Sequence, residues 1–240
     1  VKTAAVPSGT VAAGSEIKVN NSTSTRASNS ASLDSPAITS LANGGYVVVW
    51  DSNGQNGIQD GILGQLYASD GTALGSEFQV NTLNASNSQA LPSITALSDG
   101  GFVVTWQSWA QDGSQYGIFG QRFASDGSAQ GSEFQVNTHS DDMQVESSVA
   151  ALSNGGFIVT WASNQQDTNN DYGIFGQRFN ASGAPQGAEF LVNTYTQSHQ
   201  QQPSLASLTD GGFVIAWSSL GQDGSLNGIY GQRYASDGSK

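Results

Sequence analysis

The 240-residue chain sets 7 Lys and Arg against 19 Asp and Glu, a formal net charge of −12 at pH 7, with 37% hydrophobic residues. That balance excludes the basic footprint that nucleic acid requires and disfavours adsorption to anionic membranes. The absence of cysteine removes disulfides and thiol chemistry, and no apolar run reaches the ~18 residues of a membrane span, so no membrane insertion is expected.

Residues 1–14 (VKTAAVPSGTVAAG) are small and polar and read as a flexible lead-in without the apolar core of a signal peptide. Val1 in place of Met suggests a processed chain or part of a larger one. Residues 16–20 (EIKVN) form the first candidate strand. From there the sequence repeats itself. Trp50, Trp106, Trp161 and Trp217 stand 56, 55 and 56 residues apart, each followed by a Gly-Gln pair that ends at Gln65, Gln121, Gln177 and Gln232. Glu77, Glu133 and Glu189 open the next element, with an earlier copy at Glu16. A fixed period of this length denotes units that bury their apolar faces only against one another. One domain over 15–240 is expected, with repeats at about 36–82, 92–137, 147–193 and 203–234.

Each period holds four short runs rich in Val, Ile, Phe and Thr, bounded by Gly, Asp, Asn and Ser, as strands are. Named a to d, they fall at 93–97, 102–106, 117–123 and 133–137 in the second repeat. Strand a recurs at 38–41, 148–152 and 204–208. Strands a and b meet at Asn43-Gly44-Gly45, Asp99-Gly100-Gly101, Asn154-Gly155-Gly156 and Asp210-Gly211-Gly212, pairs that supply the positive φ of a tight hairpin. Four antiparallel strands in each of four repeats predict an all-β fold, a four-bladed β-propeller. The chain opens on a d-type strand and its last strand, 228–234, is c-type. The N-terminal strand is therefore expected to complete the last blade and remove two exposed edges. An open array and a propeller with more blades are the alternatives.

The repeated Trp reads as a wedge between blades, with a sugar-stacking platform as the functional alternative. Arg122, Arg178 and Arg233 in strand c, the first two 11 residues before Glu133 and Glu189, suggest a cross-strand ion pair worth ~0.2–1 kcal/mol. The b–c segments QDGSQYG, QDTNNDYG and QDGSLNG repeat Gln111, Gln166 and Gln222 beside Asp112, Asp167 and Asp223. Such oxygen-rich loops suit calcium, though no known calcium-loop spacing is matched and a backbone-capping Asp explains them too. His139 and His199 sit at unmatched offsets, and no triad, metal-binding His cluster or phosphate loop is present.

The pattern DGGFVVTW…QDGS..GI.GQRF..SDG…GSEFQVNT resembles repeats of large secreted bacterial proteins of the RTX-like or adhesin-like kind, over residues 15–240. The resemblance implies an extracellular or cell-surface location, type I export, and a role in adhesion or matrix binding. Near-equal repeats suit repeated binding better than one differentiated catalytic site. The expected function is therefore a non-enzymatic, lectin-like adhesion module for carbohydrate or matrix glycan. A structural spacer in a larger surface protein and a glycan-active lyase or hydrolase are the alternatives. The variable d–a loops (21–35, 83–91, 138–146, 194–202) and b–c loops (51–61, 107–116, 162–172, 218–227) share one face, where specificity is expected. Trp109, the one tryptophan outside the repeated position, is the leading ligand contact. Tyr116, Tyr172 and the Gln-Asp pairs accompany it, and a weak calcium or sodium site is expected at the axis or in the b–c loops.

Overall fold

The computed structural model describes residues 16–20, 35–53, 60–82, 88–167 and 171–240. Among the described residues, fifteen strands form four antiparallel sheets in chain order. Sheet 1 holds β1 (Ala37–Ser40), β2 (Tyr46–Asn53), β3 (Asp60–Tyr67) and β4 (Ala73–Gln79). Sheet 2 holds β5 (Gln89–Ala96), β6 (Phe102–Trp109), β7 (Tyr116–Phe123) and β8 (Ala129–Gln135). Sheet 3 holds β9 (Gln144–Ala151), β10 (Phe157–Asn164), β11 (Tyr172–Phe179) and β12 (Pro185–Leu191). Sheet 4 holds β13 (Gln200–Ser207), β14 (Phe213–Leu220) and β15 (Asn227–Tyr234). No helix among the described residues is long and apolar enough to cross a membrane. The proposed lead-in, 1–14, lies outside the described residues.

The Gly-Gly turns form as the sequence requires, and each glycine has its own reason. Gly44, Gly100, Gly155 and Gly211 adopt φ of 85–89°, where a side chain is strained. The second glycine faces strand c: a Cβ on Gly45, Gly101, Gly156 or Gly212 would lie 2.2–2.4 Å from the carbonyl oxygen of Tyr67, Phe123, Phe179 or Tyr234. The preceding Asn or Asp caps the turn, as where Asp99 Oδ1 accepts the Gly101 N–H at 3.0 Å.

The repeated tryptophans are packing residues. Trp106 and Trp161 are fully buried and Trp50 and Trp217 nearly so, which removes the sugar-platform reading for this position. Apolar clusters fill the space between successive sheets. One joins Val47, Val49 and Ile62 to Phe102, Val104 and Trp106. The next joins Val103 and Ile118 to Phe157, Val159 and Trp161. The third joins Ile158 and Ile174 to Phe213, Ile215 and Trp217. In each junction the Val that follows strand d packs onto the next sheet, as Val80, Val136 and Val192 do.

Two expectations are corrected. Residues 16–20 form no strand and do not complete the last sheet, which is three-stranded among the described residues. Val19 instead packs on Val48, Trp50, Leu63 and Tyr67 of sheet 1, and the Tyr67 hydroxyl donates to its carbonyl at 3.0 Å. It takes against sheet 1 the seat that Val80, Val136 and Val192 take against sheets 2, 3 and 4.

The arginines do not pair with the strand-d glutamates. The c–d hairpin closes on Phe123 opposite Ala129, setting Arg122 opposite Gln130, and a bulge between Gly120 and Arg122 shifts the register beyond it. Arg122 meets Asp99 at 3.0 Å and Arg233 meets Asp210. Arg178 donates to the carbonyl of Ser236 at 3.1 Å in the following sheet's turn.

Candidate functional site

The inner strands of sheets 2, 3 and 4 carry the same irregularity at the same place. Pairing slips between Ala90 and Ser93 in β5, between Val145 and Ser148 in β9, and between Gln201 and Ser204 in β13. The displaced residues are Leu91, Glu146 and Gln202, with φ of 53°, 59° and 56°. A side-chain-bearing residue in the left-handed region costs on the order of 1–3 kcal/mol, and such outliers cluster at functional sites. Ordinary pairing of the inner strands would avoid that cost.

The three bulges face one open cavity of about 380 Å³. Its wall is Ser35 from the approach to β1 and the pairs Leu91–Pro92, Glu146–Ser147 and Gln202–Pro203, so all four sheets contribute. The bulges lie where the d–a connections enter strand a, at the end of the sheets that also carries the b–c loops. Glu146 is the ionisable side chain of this wall. Its Oε2 accepts the Gln202 N–H at 2.8 Å, tying sheet 3 to sheet 4 across the cavity. The Glu146 N–H donates to Gln107 Oε1 at 3.2 Å. The Ser147 hydroxyl lies 3.0 Å from that of Thr105. Asp51, buried one residue after Trp50, accepts the N–H of the wall residue Ser35. A carboxylate thus stands in the cavity wall and another stands one hydrogen bond behind it.

Sequence reading missed Glu146 and Asp51, although a signal exists. The bulge position reads Ser35, Leu91, Glu146, Gln202, and the position after the repeated Trp reads Asp51, Gln107, Ala162, Ser218. An ionisable residue occurs once in each series, and one differentiated residue within a repeat is what a single site requires.

The residues expected from the sequence sit elsewhere. Trp109, 38% exposed, is the cross-strand partner of Tyr116 at the end of the β6–β7 hairpin. Their rings meet edge to face at 4.9 Å. Gln111 donates to Glu133, which also takes the Thr82 N–H at 2.7 Å. Gln166 donates to Glu189, which takes the Thr138 N–H at 2.7 Å. These amides tie strand d to the b–c loop and to the preceding sheet. Gln222 is the third copy, and its Oε1 is buried without a hydrogen bond. Asp112 and Asp223 accept the N–H groups of Ser114 and Ser225 at 3.2 and 3.0 Å, and so act as turn caps. Asp167 holds the matching place in the third repeat.

Tyr172 packs 5.7 Å from His199 and its hydroxyl reaches Met143 Sδ at 3.3 Å. Burial pushes its pKa up, with Asp142 and Glu146 adding to the shift. None of these nine residues lines the axial cavity. For calcium, no group of three or more His, Asp or Glu side chains that could hold a metal occurs among the described residues.

No family model matches this sequence, and no curated protein matches it. Solved structures do resemble the fold. An endo-arabinase from Bacteroides thetaiotaomicron superposes with a TM-score of 0.52 at 14% identity, over 85% of this chain and 76% of the enzyme. A thermostable family-43 glycoside hydrolase gives 0.52 at 11% identity, over 82% and 70%. An α-L-arabinofuranosidase from Lactobacillus brevis gives 0.52 at 10% identity, over 85% and 73%.

The fold is therefore that of β-propeller blades, and these neighbours have five of them rather than the four expected. The expectation of a non-enzymatic adhesion module is corrected as well. It rested on near-equal repeats being a poor home for catalysis, yet blades of this kind carry glycoside hydrolases.

Proposed function

We propose that the chain is a glycan-active enzyme that hydrolyses glycosidic bonds at the axial cavity. The observation that carries this reading is Glu146, an ionisable side chain on a left-handed bulge in the wall of a cavity built from all four sheets. Glycoside hydrolysis uses two carboxyl groups, one to protonate the leaving oxygen and one to act as base or nucleophile at the anomeric carbon. Glu146, in the wall, is the proton donor. Asp51, buried behind Ser35, positions that wall residue by accepting its N–H. Cleavage breaks the bond between the anomeric carbon and the bridging oxygen, delivers a proton to that oxygen, and adds water to the carbon.

The fold neighbours act on arabinose- and xylose-containing glycans, and neutral chains of this class are the proposed substrates. A net charge of −12 repels polyuronates, so neutral polymers should be cleaved in preference to acidic ones. The four sheets are read as consecutive blades of a ring larger than four. The resemblance to secreted bacterial repeat proteins supports an extracellular or cell-surface setting.

The test is reducing-sugar release from arabinan, arabinoxylan, xylan and polygalacturonate. Wild type should cleave at least one neutral polymer, and Glu146→Gln should lose about 100-fold or more while keeping its melting temperature, the scale of lost general acid–base catalysis. Release from none of the four, or equal rates in the variant, overturns the reading.

A further inference from the structure

Along β6, the alternation of a strand turns Val103, Thr105 and Gln107 toward sheet 3 and Trp106 toward sheet 1. Two of these side chains reach the bulge of the neighbouring sheet. Gln107 Oε1 accepts the Glu146 N–H at 3.2 Å, and Thr105 Oγ1 lies 3.0 Å from Ser147 Oγ. Both supports are buried, Thr105 completely, and both supported residues stand in the cavity wall. The other described junctions are built differently. Sheet 1 offers Val49 and Asp51 at these positions where sheet 2 brings Leu91 and Pro92, and sheet 3 offers Thr160 and Ala162 where sheet 4 brings Gln202 and Pro203.

Two hydroxyls at hydrogen-bonding distance share one hydrogen, and burial decides whose it is. Thr160 holds in sheet 3 the position of Thr105 and is as fully buried. Its hydroxyl has no hydrogen-bond partner among the described residues, because Pro203 stands where Ser147 does. The position therefore offers a threonine no backbone acceptor. If Ser147 donated to Thr105, the Thr105 hydrogen would be left buried and unpaired, with the full desolvation penalty of that group. Thr105 thus donates and Ser147 accepts. Ser147, half-buried in the wall, keeps its own hydrogen for the cavity.

We infer that Ser147 is a substrate-contacting donor of the axial cavity, oriented by Thr105 to hydrogen-bond an oxygen of the sugar unit beside the bond that Glu146 protonates. The inference rests on the reading of the cavity as a glycan site and adds to it the group that holds the sugar. Thr105 is a positioning residue, since it acts through Ser147. A hydroxyl that already accepts one hydrogen bond is polarised into a stronger donor. Leu91, Pro92 and Pro203 bring apolar surface to the same wall, and a few placed polar groups in an apolar lining are how small-ligand sites fix orientation.

The probes are xylotetraose and arabinotetraose, titrated by calorimetry into Glu146→Gln so that they stay intact. Ser147→Ala and Thr105→Val, each added to that chain, should weaken binding of at least one sugar about threefold to tenfold. The two together should weaken it no further than Ser147→Ala alone. Val49 holds the same position in sheet 1, so valine fits and Thr105→Val should keep its melting temperature. Thr105→Ser loses a packed methyl and should melt lower, yet bind as tightly as its parent. A purely structural role for Thr105 gives the reverse order and overturns its part. Binding unchanged by Ser147→Ala, or no binding of either sugar up to about 10 mM, overturns the assignment. Ser147-dependent binding in a chain that releases reducing sugar from no polymer leaves the assignment standing and removes only hydrolysis. Release with binding that ignores Ser147 does the converse.

Discussion

β7 and β15 are nearly the same strand, YGIFGQRF and NGIYGQRY, and they live in opposite surroundings. Ile118 is fully buried between sheets 2 and 3, and its amide is taken by Asn137. Ile229 faces outward on sheet 4. The difference teaches that burial here belongs to the neighbouring unit, as expected where each repeat buries its face only against the next.

The largest effect should separate these two isoleucines. Ile118→Ala removes buried atoms from a packed junction and should cost about 2–5 kcal/mol. Ile229→Ala should stay within about 0.5 kcal/mol of wild type, as exposed substitutions do. Urea melts of both variants check the pair, and equal losses would mean that sheet 4 is covered in solution.

A smaller effect should come from the turns. Gly101→Ala sets a Cβ within 2.2 Å of the Phe123 carbonyl oxygen, an overlap that should cost about 1–3 kcal/mol. Gly231→Ala, on the open edge, should cost less than Gly120→Ala, whose Cβ would strike the Phe134 ring at 2.8 Å. The same melts rank them.

Smaller again is the loss of one strand-d clamp. Glu133→Ala frees Gln111 and the Thr82 N–H and should cost about 0.5–1.5 kcal/mol, the net worth of an ordinary hydrogen bond. An unchanged midpoint would show that water replaces the carboxylate at no cost.

The smallest effect is the acid response of the turn caps. Asp70 and Asp126 accept hydrogen bonds from Thr72 and Ser128, and Asp210 from Gly212 and Arg233, which hold their pKa values below the ordinary carboxylate value. A depressed folded pKa contributes stability above the unfolded value of ~3.9 that is lost as pH falls through the folded one. Melting temperature should therefore decline below about pH 4, and Asp126→Asn should flatten that decline slightly.

The repeat made most of the fold legible. Spaced tryptophans, Asn/Asp-Gly-Gly turns and alternating apolar runs encode strands, hairpins and inter-sheet wedges locally, and all three formed. Arg122 was misplaced because the c–d hairpin closes on Phe123 opposite Ala129 and so sets Arg122 opposite Gln130 rather than Glu133; where a hairpin closes leaves little trace in composition. The partner of residues 16–20 was misjudged for a different reason: EIKVN fits both the edge of strand c and the face of the next sheet. The axial cavity was least legible, because Leu91, Glu146 and Gln202 share a left-handed backbone and no residue type. Glu146 stood out only once its register with Ser35, Leu91 and Gln202 was known.

Amide hydrogen exchange resolved at Ile118, Gly120, Ile229 and Gly231 tests the contrast between the two strands most directly. All four amides point away from strand b, so only an outer strand protects them. The account predicts slow exchange at Ile118 and Gly120 and fast exchange at Ile229 and Gly231. Equal protection at all four in the chain alone would contradict it.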